Sequence, residues 1–171
     1  MTKPAKRRSS APLAAAAGVL ATVAGCVSDE PARRAVAPQP AGVRPATLFL
    51  SADLPDDTDG NGYVDTVDVT IYVFGEGYEA APIFVPGTFE FSLNHRGGPE
   101  MARWTLTPDQ AAGTLRRFAP GPGYRIRLSL LDLGLSDVMP AQEVDLAATF
   151  TAAAGEARAN STALRFGHGA R

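Results

Sequence analysis

The 171-residue chain predicts an all-β fold, a β-sandwich of about seven strands with one short crossover helix, behind an N-terminal segment of different character. Three observations predict it. From Thr47 onward apolar residues tend to alternate with polar ones, which is the two-residue period of a half-buried strand. Seventeen glycines and fourteen prolines favour many turns and short strands over long helices. One segment alone carries the signals that start a helix.

The alternating runs are, in order, Leu48 and Leu50; Val67, Val69, Ile71 and Val73; Phe89, Phe91 and Leu93; Trp104 and Leu106; Tyr124, Ile126, Leu128 and Leu130; Val144, Leu146 and Phe150; Leu164 and Phe166. Each run puts its large side chains on one face of a strand, the face a second sheet covers in a sandwich. A small barrel is the main alternative. The helix signal is Thr107-Pro108-Asp109-Gln110: a capping threonine, proline at the first helical position, and glutamine where a capping box needs it. Ala111, Leu115 and Phe118 are expected on its buried face, and Pro120-Gly121-Pro122-Gly123 is expected to end it. Aromatic stripes at strand spacing belong to a core; the competing use of Trp104 and the tyrosines is a sugar-binding face. No internal repeat marks a solenoid.

A formal charge of −2 hides a division. Lys3, Lys6, Arg7 and Arg8 precede any acidic residue, and without those four bases 12 arginines face 18 aspartates and glutamates, a charge near −6. So acidic a chain lacks the footprint of a nucleic-acid partner. The basic start leads into an uncharged, Ala-rich stretch with an apolar centre from Leu13 to Ala24, the two leading regions of a secretory signal peptide over residues 1–25. That centre is shorter than the ~20 residues a membrane-spanning helix needs.

The stretch ends Val23-Ala24-Gly25-Cys26, an aliphatic residue, two small residues and a cysteine. This resembles the lipobox of bacterial lipoproteins. The resemblance implies that a diacylglycerol is attached to the Cys26 sulfur, that cleavage before it makes Cys26 the first residue, and that the protein is anchored to a membrane of the cell envelope. Val27, where an aspartate would retain an enteric lipoprotein in the inner membrane, favours the outer one. Two or three acyl chains, at ~0.8 kcal/mol per buried methylene, hold far more firmly than one myristoyl group. Cys26 is the only cysteine, so one chain forms no disulfide. Arg7-Arg8 hints at twin-arginine export, but Ser9-Ser10-Ala11 follows where that signal wants bulky apolar residues. Residues 26–46, rich in Pro, Ala and polar residues, read as the lipidated cysteine and a tether, and residues 47–171 as the folded domain.

After the first alternating run, and reaching into the start of the second, comes Asp57-Thr58-Asp59-Gly60-Asn61-Gly62-Tyr63-Val64-Asp65-Thr66-Val67-Asp68. Acidic or amide side chains at 57, 59 and 61 alternate along a backbone that Gly62 lets curl, so they point into one concavity. Their hard oxygens suit calcium. The segment resembles the twelve-residue EF-hand loop and its dockerin variant. The resemblance implies ligands from Asp57, Asp59, Asn61, the Tyr63 carbonyl, Asp65 and Asp68, with Val64 as apolar anchor. Asp68 stands where calcium sensors carry a bidentate glutamate, as it does in dockerins. The flanks differ from the family: Pro55 and the β-branched run after Thr66 read as strand and turn, so the loop is expected between two strands. Its role would be structural, at the modest affinity extracellular modules tolerate.

His95 and His168 have no recognisable catalytic partners, and the chain has no G-x-S-x-G elbow, H-E-x-x-H pair or phosphate-cradling loop. A non-enzymatic cell-envelope lipoprotein is expected, a structural or interaction module whose partners are the membrane and an envelope protein or glycan. A carbohydrate-binding accessory domain is the alternative, and behind it a hydrolase using carboxylates such as Glu90 or Asp132.

Overall fold

The structure is a computed structural model that describes residues 42–159 and 161–169; the signal segment, the lipobox and Cys26 lie outside the described residues. The described chain forms two antiparallel sheets and one short α-helix, the expected all-β sandwich. The first sheet runs in the order β1 (Pro45–Ala52), β3 (Thr66–Gly75), β8 (Gly121–Ser129) and β7 (Leu115–Phe118), with β4 (Tyr78–Ile83) also paired to β3. The second runs β2 (Tyr63–Val64), β11 (Thr162–His168), β9 (Gln142–Ala152), β5 (Gly87–His95) and β6 (Glu100–Leu106), with β10 (Gly155–Arg158) also paired to β9.

All seven alternating runs are strands. The four additional strands, β2, β4, β7 and β10, are six residues or shorter, too short for a two-residue period to stand out. In β3 the buried side chains Val67, Val69, Ile71 and Val73 all face one way, and Phe89, Phe91 and Leu93 do the same in β5. The two faces meet through aromatic rings: Phe89 of the second sheet lies edge-on to Tyr124 of the first with centroids 4.8 Å apart, and within its own sheet it packs against Phe150 of β9 at 4.6 Å. Trp104 of β6 is buried too, and its indole N–H donates to the Ser129 carbonyl of β8 at 3.0 Å. A ring so placed ties the sheets together and offers no exposed stacking surface.

The helix α1 spans Pro108–Thr114 and carries β6 across to β7 in the other sheet. Its capping box is formed as expected, the Thr107 hydroxyl accepting from the Gln110 amide and the Gln110 side chain accepting from the Thr107 N–H. Ala111 is its buried residue. Leu115 and Phe118, expected on the helix face, belong instead to β7, where the backbone turns extended at Leu115. Phe118 packs edge-on to Tyr72 at 5.6 Å. The Pro-Gly run does not stop the helix; it closes the β7–β8 turn.

The fold also begins earlier than the alternation does. Strand β1 starts at Pro45, where proline is tolerated at the first position of an edge strand, and Val43 packs partly buried against the core. Residues 43–46, read from composition as tether, thus belong to the domain.

Candidate metal centre

Strands β1 and β3 are antiparallel neighbours, yet the chain between them does not turn directly. It leaves the first sheet after Ala52, runs through the acidic loop, pairs β2 with β11 of the second sheet, and returns. The neck of this excursion is hydrogen-bonded: Asp53 N–H donates to the Asp68 carbonyl at 2.9 Å, Asp56 N–H to the Thr66 carbonyl at 2.8 Å, and Asp65 N–H to the Asp56 carbonyl at 3.0 Å. Asp65 itself is fully buried. One of its oxygens accepts the Thr58 N–H at 2.9 Å, and the other accepts the hydroxyls of Thr58, at 2.7 Å, and Thr66.

Inside the neck the backbone curls around the Asp57 carboxylate, which accepts the N–H groups of Gly60 at 2.8 Å, Asn61 at 3.2 Å and Gly62 at 2.8 Å. Gly60 and Gly62 take φ of 76° and 89°, a region that favours glycine and that lets three successive amides point inward. Partial desolvation raises the Asp57 pKa, and the Gly62 and Gly60 amides, with smaller contributions from Asp59 and the Asn61 amide, outweigh it and hold the group below the usual carboxylate value. Asp59 accepts the Asn61 N–H at 3.1 Å, and the Asn61 side-chain oxygen accepts the Tyr63 N–H at 2.8 Å.

The result brings Asp57, Asp59 and Asp65 together, with a carboxylate oxygen of each within 4.8 Å of the others. Asn61 adjoins them, its amide nitrogen 3.1 Å from Asp59 Oδ2. Tyr63 lies in β2, opposite His168, with the two rings 5.1 Å apart.

Asp68 is not brought in. The chain leaves the loop as a strand, and the pleat of β3 sets Asp68 on the outer face of the first sheet, opposite Arg127 of β8. Its carboxylate pairs with Arg127 at 3.0 Å and with Arg125 at 3.4 Å, and Arg125 pairs in turn with Asp53 at 2.6 Å. The Arg127 and Arg125 guanidiniums hold the Asp68 pKa below its ordinary value.

Comparison with protein-family models, curated proteins and solved structures finds no match. The site is therefore read from its own chemistry. Three hard carboxylates on one curled loop, with oxygens spaced as the ligands of a single cation are, can hold a metal ion. One further acidic residue touches the loop through Asn61 and has no signal in the local sequence. Asp137 lies 76 residues from Asn61 along the chain, is 4% exposed, and accepts the Asn61 amide N–H at 2.7 Å.

Proposed function

We propose that this chain is a lipid-anchored protein of the cell envelope, outer membrane favoured, whose β-sandwich is stabilised by a calcium ion and serves as a structural or interaction module. The observation that carries the metal part is the convergence of Asp57, Asp59 and Asp65 on a loop curled by Gly60 and Gly62. Carboxylates this close repel one another, and a hard divalent cation turns that repulsion into attraction. Asn61 and the Tyr63 carbonyl complete the loop's share of the ligands in this reading. Asp68, engaged by two arginines, is left out. The lipid part rests on the lipobox ending in Cys26, with the membrane as one partner and an envelope protein or glycan as the other. A glycan platform built on Trp104 has no support, since that ring is buried.

Thermal melting of the full chain in millimolar calcium and in excess chelator tests the metal part. An ion bound only by the folded state stabilises it by roughly 1.4 kcal/mol at about ten times Kd. That should raise the midpoint by roughly 3 to 6 °C. Asp57→Ala or Asp59→Ala should remove the increment, and Asp53→Ala should not. Superimposable curves in calcium and chelator would leave the loop as an acidic turn with no ion.

A further inference from the structure

We propose that the outer face of the first sheet rests on the phospholipid surface to which the chain is anchored, so that the lipid on Cys26 holds the domain and this face orients it; this rests on the lipid-anchor reading above. In a sandwich the outward positions of a strand ordinarily carry polar side chains. The second sheet keeps that rule, with Thr88, Glu90, Ser92 and Asn94 alternating with the buried Phe89, Phe91 and Leu93 of β5. The first sheet breaks it. There the outward positions hold Phe49 of β1, Tyr72 and Phe74 of β3, and Phe118 of β7.

Three of these rings form one row across the strands. The Phe49 and Tyr72 centroids are 6.2 Å apart, and those of Tyr72 and Phe118 are 5.6 Å apart. The row crosses β8 at Gly123, where a β-carbon would stand 2.7 Å from the Tyr72 ring and 2.9 Å from the Phe118 ring. Glycine at that position lets the rings close over the sheet. Phe49, at the end of the row, is still 57% exposed. An aromatic row on an open sheet face marks a contact surface, unlike apolar residues scattered singly.

The occupant follows from ring geometry, charge and the course of the chain. The rings are inclined to one another by 42° and 74°, so they do not present the coplanar faces on which a sugar chain would stack. Rings at any inclination bury apolar area among lipid headgroups and the upper acyl chains. On this face Arg116, Arg125 and Arg127 stand against Asp68, with Asp53 paired to Arg125 beside them. In a chain that is acidic beyond its first eight residues, a face with more arginines than carboxylates suits anionic headgroups. The chain from Cys26 enters the domain through this same sheet. Phe49 stands four residues into β1, roughly 13 Å from its start, well within the ~50 Å that residues 27–41 can span. A domain so tethered meets the bilayer at high effective concentration, so a face too weak to hold it alone suffices to orient it.

The lipidated full chain in vesicles of phosphatidylcholine and phosphatidylglycerol tests this. Acylation blocks Cys26, the one cysteine, so Ser51→Cys beside Phe49, or Thr105→Cys on the outer face of the second sheet, supplies a single thiol for an environment-sensitive dye. The dye at 51 should shift to the blue and be quenched by doxyl-labelled lipid, and the dye at 105 should do neither. Phe49→Ser, at a position whose exposure spares the core, should reduce the quenching at 51 severalfold. Equal responses at 51 and 105 would overturn the resting face and leave the anchor in place. A blue shift at 51 without doxyl quenching would overturn it too, assigning the face to a second copy of the chain. If mass spectrometry of the wild type finds no acyl group on Cys26, the anchor itself falls and this inference falls with it.

Discussion

Asp57 and Asp68 both sit below the usual carboxylate pKa, but they face different partners. Asp57 is answered by backbone amides inside the loop, Asp68 by Arg127 and Arg125 on the sheet surface. A carboxylate whose folded pKa is depressed contributes stability above its unfolded pKa, near 3.8, and loses it as pH falls through the folded value. The Asp68 pairs are partly exposed, so their worth is that of surface ion pairs, about 0.2 to 1 kcal/mol. Asp68→Asn should therefore lower the melting temperature in chelator by a small constant amount from pH 7 to pH 5, with the gap closing below about pH 4. The calcium increment should survive the substitution. A variant that melts like the wild type at neutral pH but no longer responds to calcium would return Asp68 to the ion. At this scale Asp57 and Asp59 were legible because alternation on a glycine-curled backbone is a local property, and Asp65 through the resemblance to the twelve-residue loop. The places of Asp68 and Asp137 were not, since they depend on where the chain goes after the loop and on which distant segment comes to meet it.

Strands were legible where one face is buried for five residues or more, as in β3, β5 and β9, because there the two-residue period repeats often enough to be read. The helix start was legible for a similar reason: a capping box is a four-residue device that acts on its own termini. Its end was not. Leu115 and Phe118 fit a helical face equally well, and pairing of Leu115–Phe118 with β8, with Phe118 against Tyr72, decides for the strand. The start of the domain was hidden by composition, as Val43 and Pro45 lie in a Pro- and Ala-rich stretch yet pack on or pair with the sandwich. A fragment of residues 47–171 lacks those contacts and one of 42–171 keeps them. Partial burial of a valine and loss of the first pair of β1 amount to about 1 kcal/mol. The shorter fragment should melt roughly 2 to 4 °C lower, and equal midpoints in scanning calorimetry would show that residues 42–46 contribute nothing to the fold.

Across the whole molecule, the acidic loop links sheets as well as strands. It leaves β1 of one sheet, pairs β2 with β11 of the other, and meets the segment that joins β8 to β9. An ion there would restrain connections at one end of the sandwich without touching its core. Membrane attachment is a separate matter, assigned in our proposal to a different part of the chain. No helix among the described residues is long and apolar enough to cross a membrane, and the proposed attachment rests on Cys26. Between Cys26 and Gly42 lie residues 27–41, enough chain to span about 50 Å at full extension. Cys26→Ser should abolish fatty-acid incorporation, leave residues 1–25 uncleaved or release the protein into the soluble fraction, and leave the calcium increment in melting temperature unchanged. The last outcome follows because the proposed ligands all lie beyond Gly42, on the far side of that connecting segment. Labelling of the wild type decides the lipid claim by itself: a protein exported and cut without acquiring fatty acid would be an ordinary secreted protein with a free thiol or none. A calcium increment lost with Cys26 would mean that the anchor and the ion site are coupled, contrary to their separation along the chain.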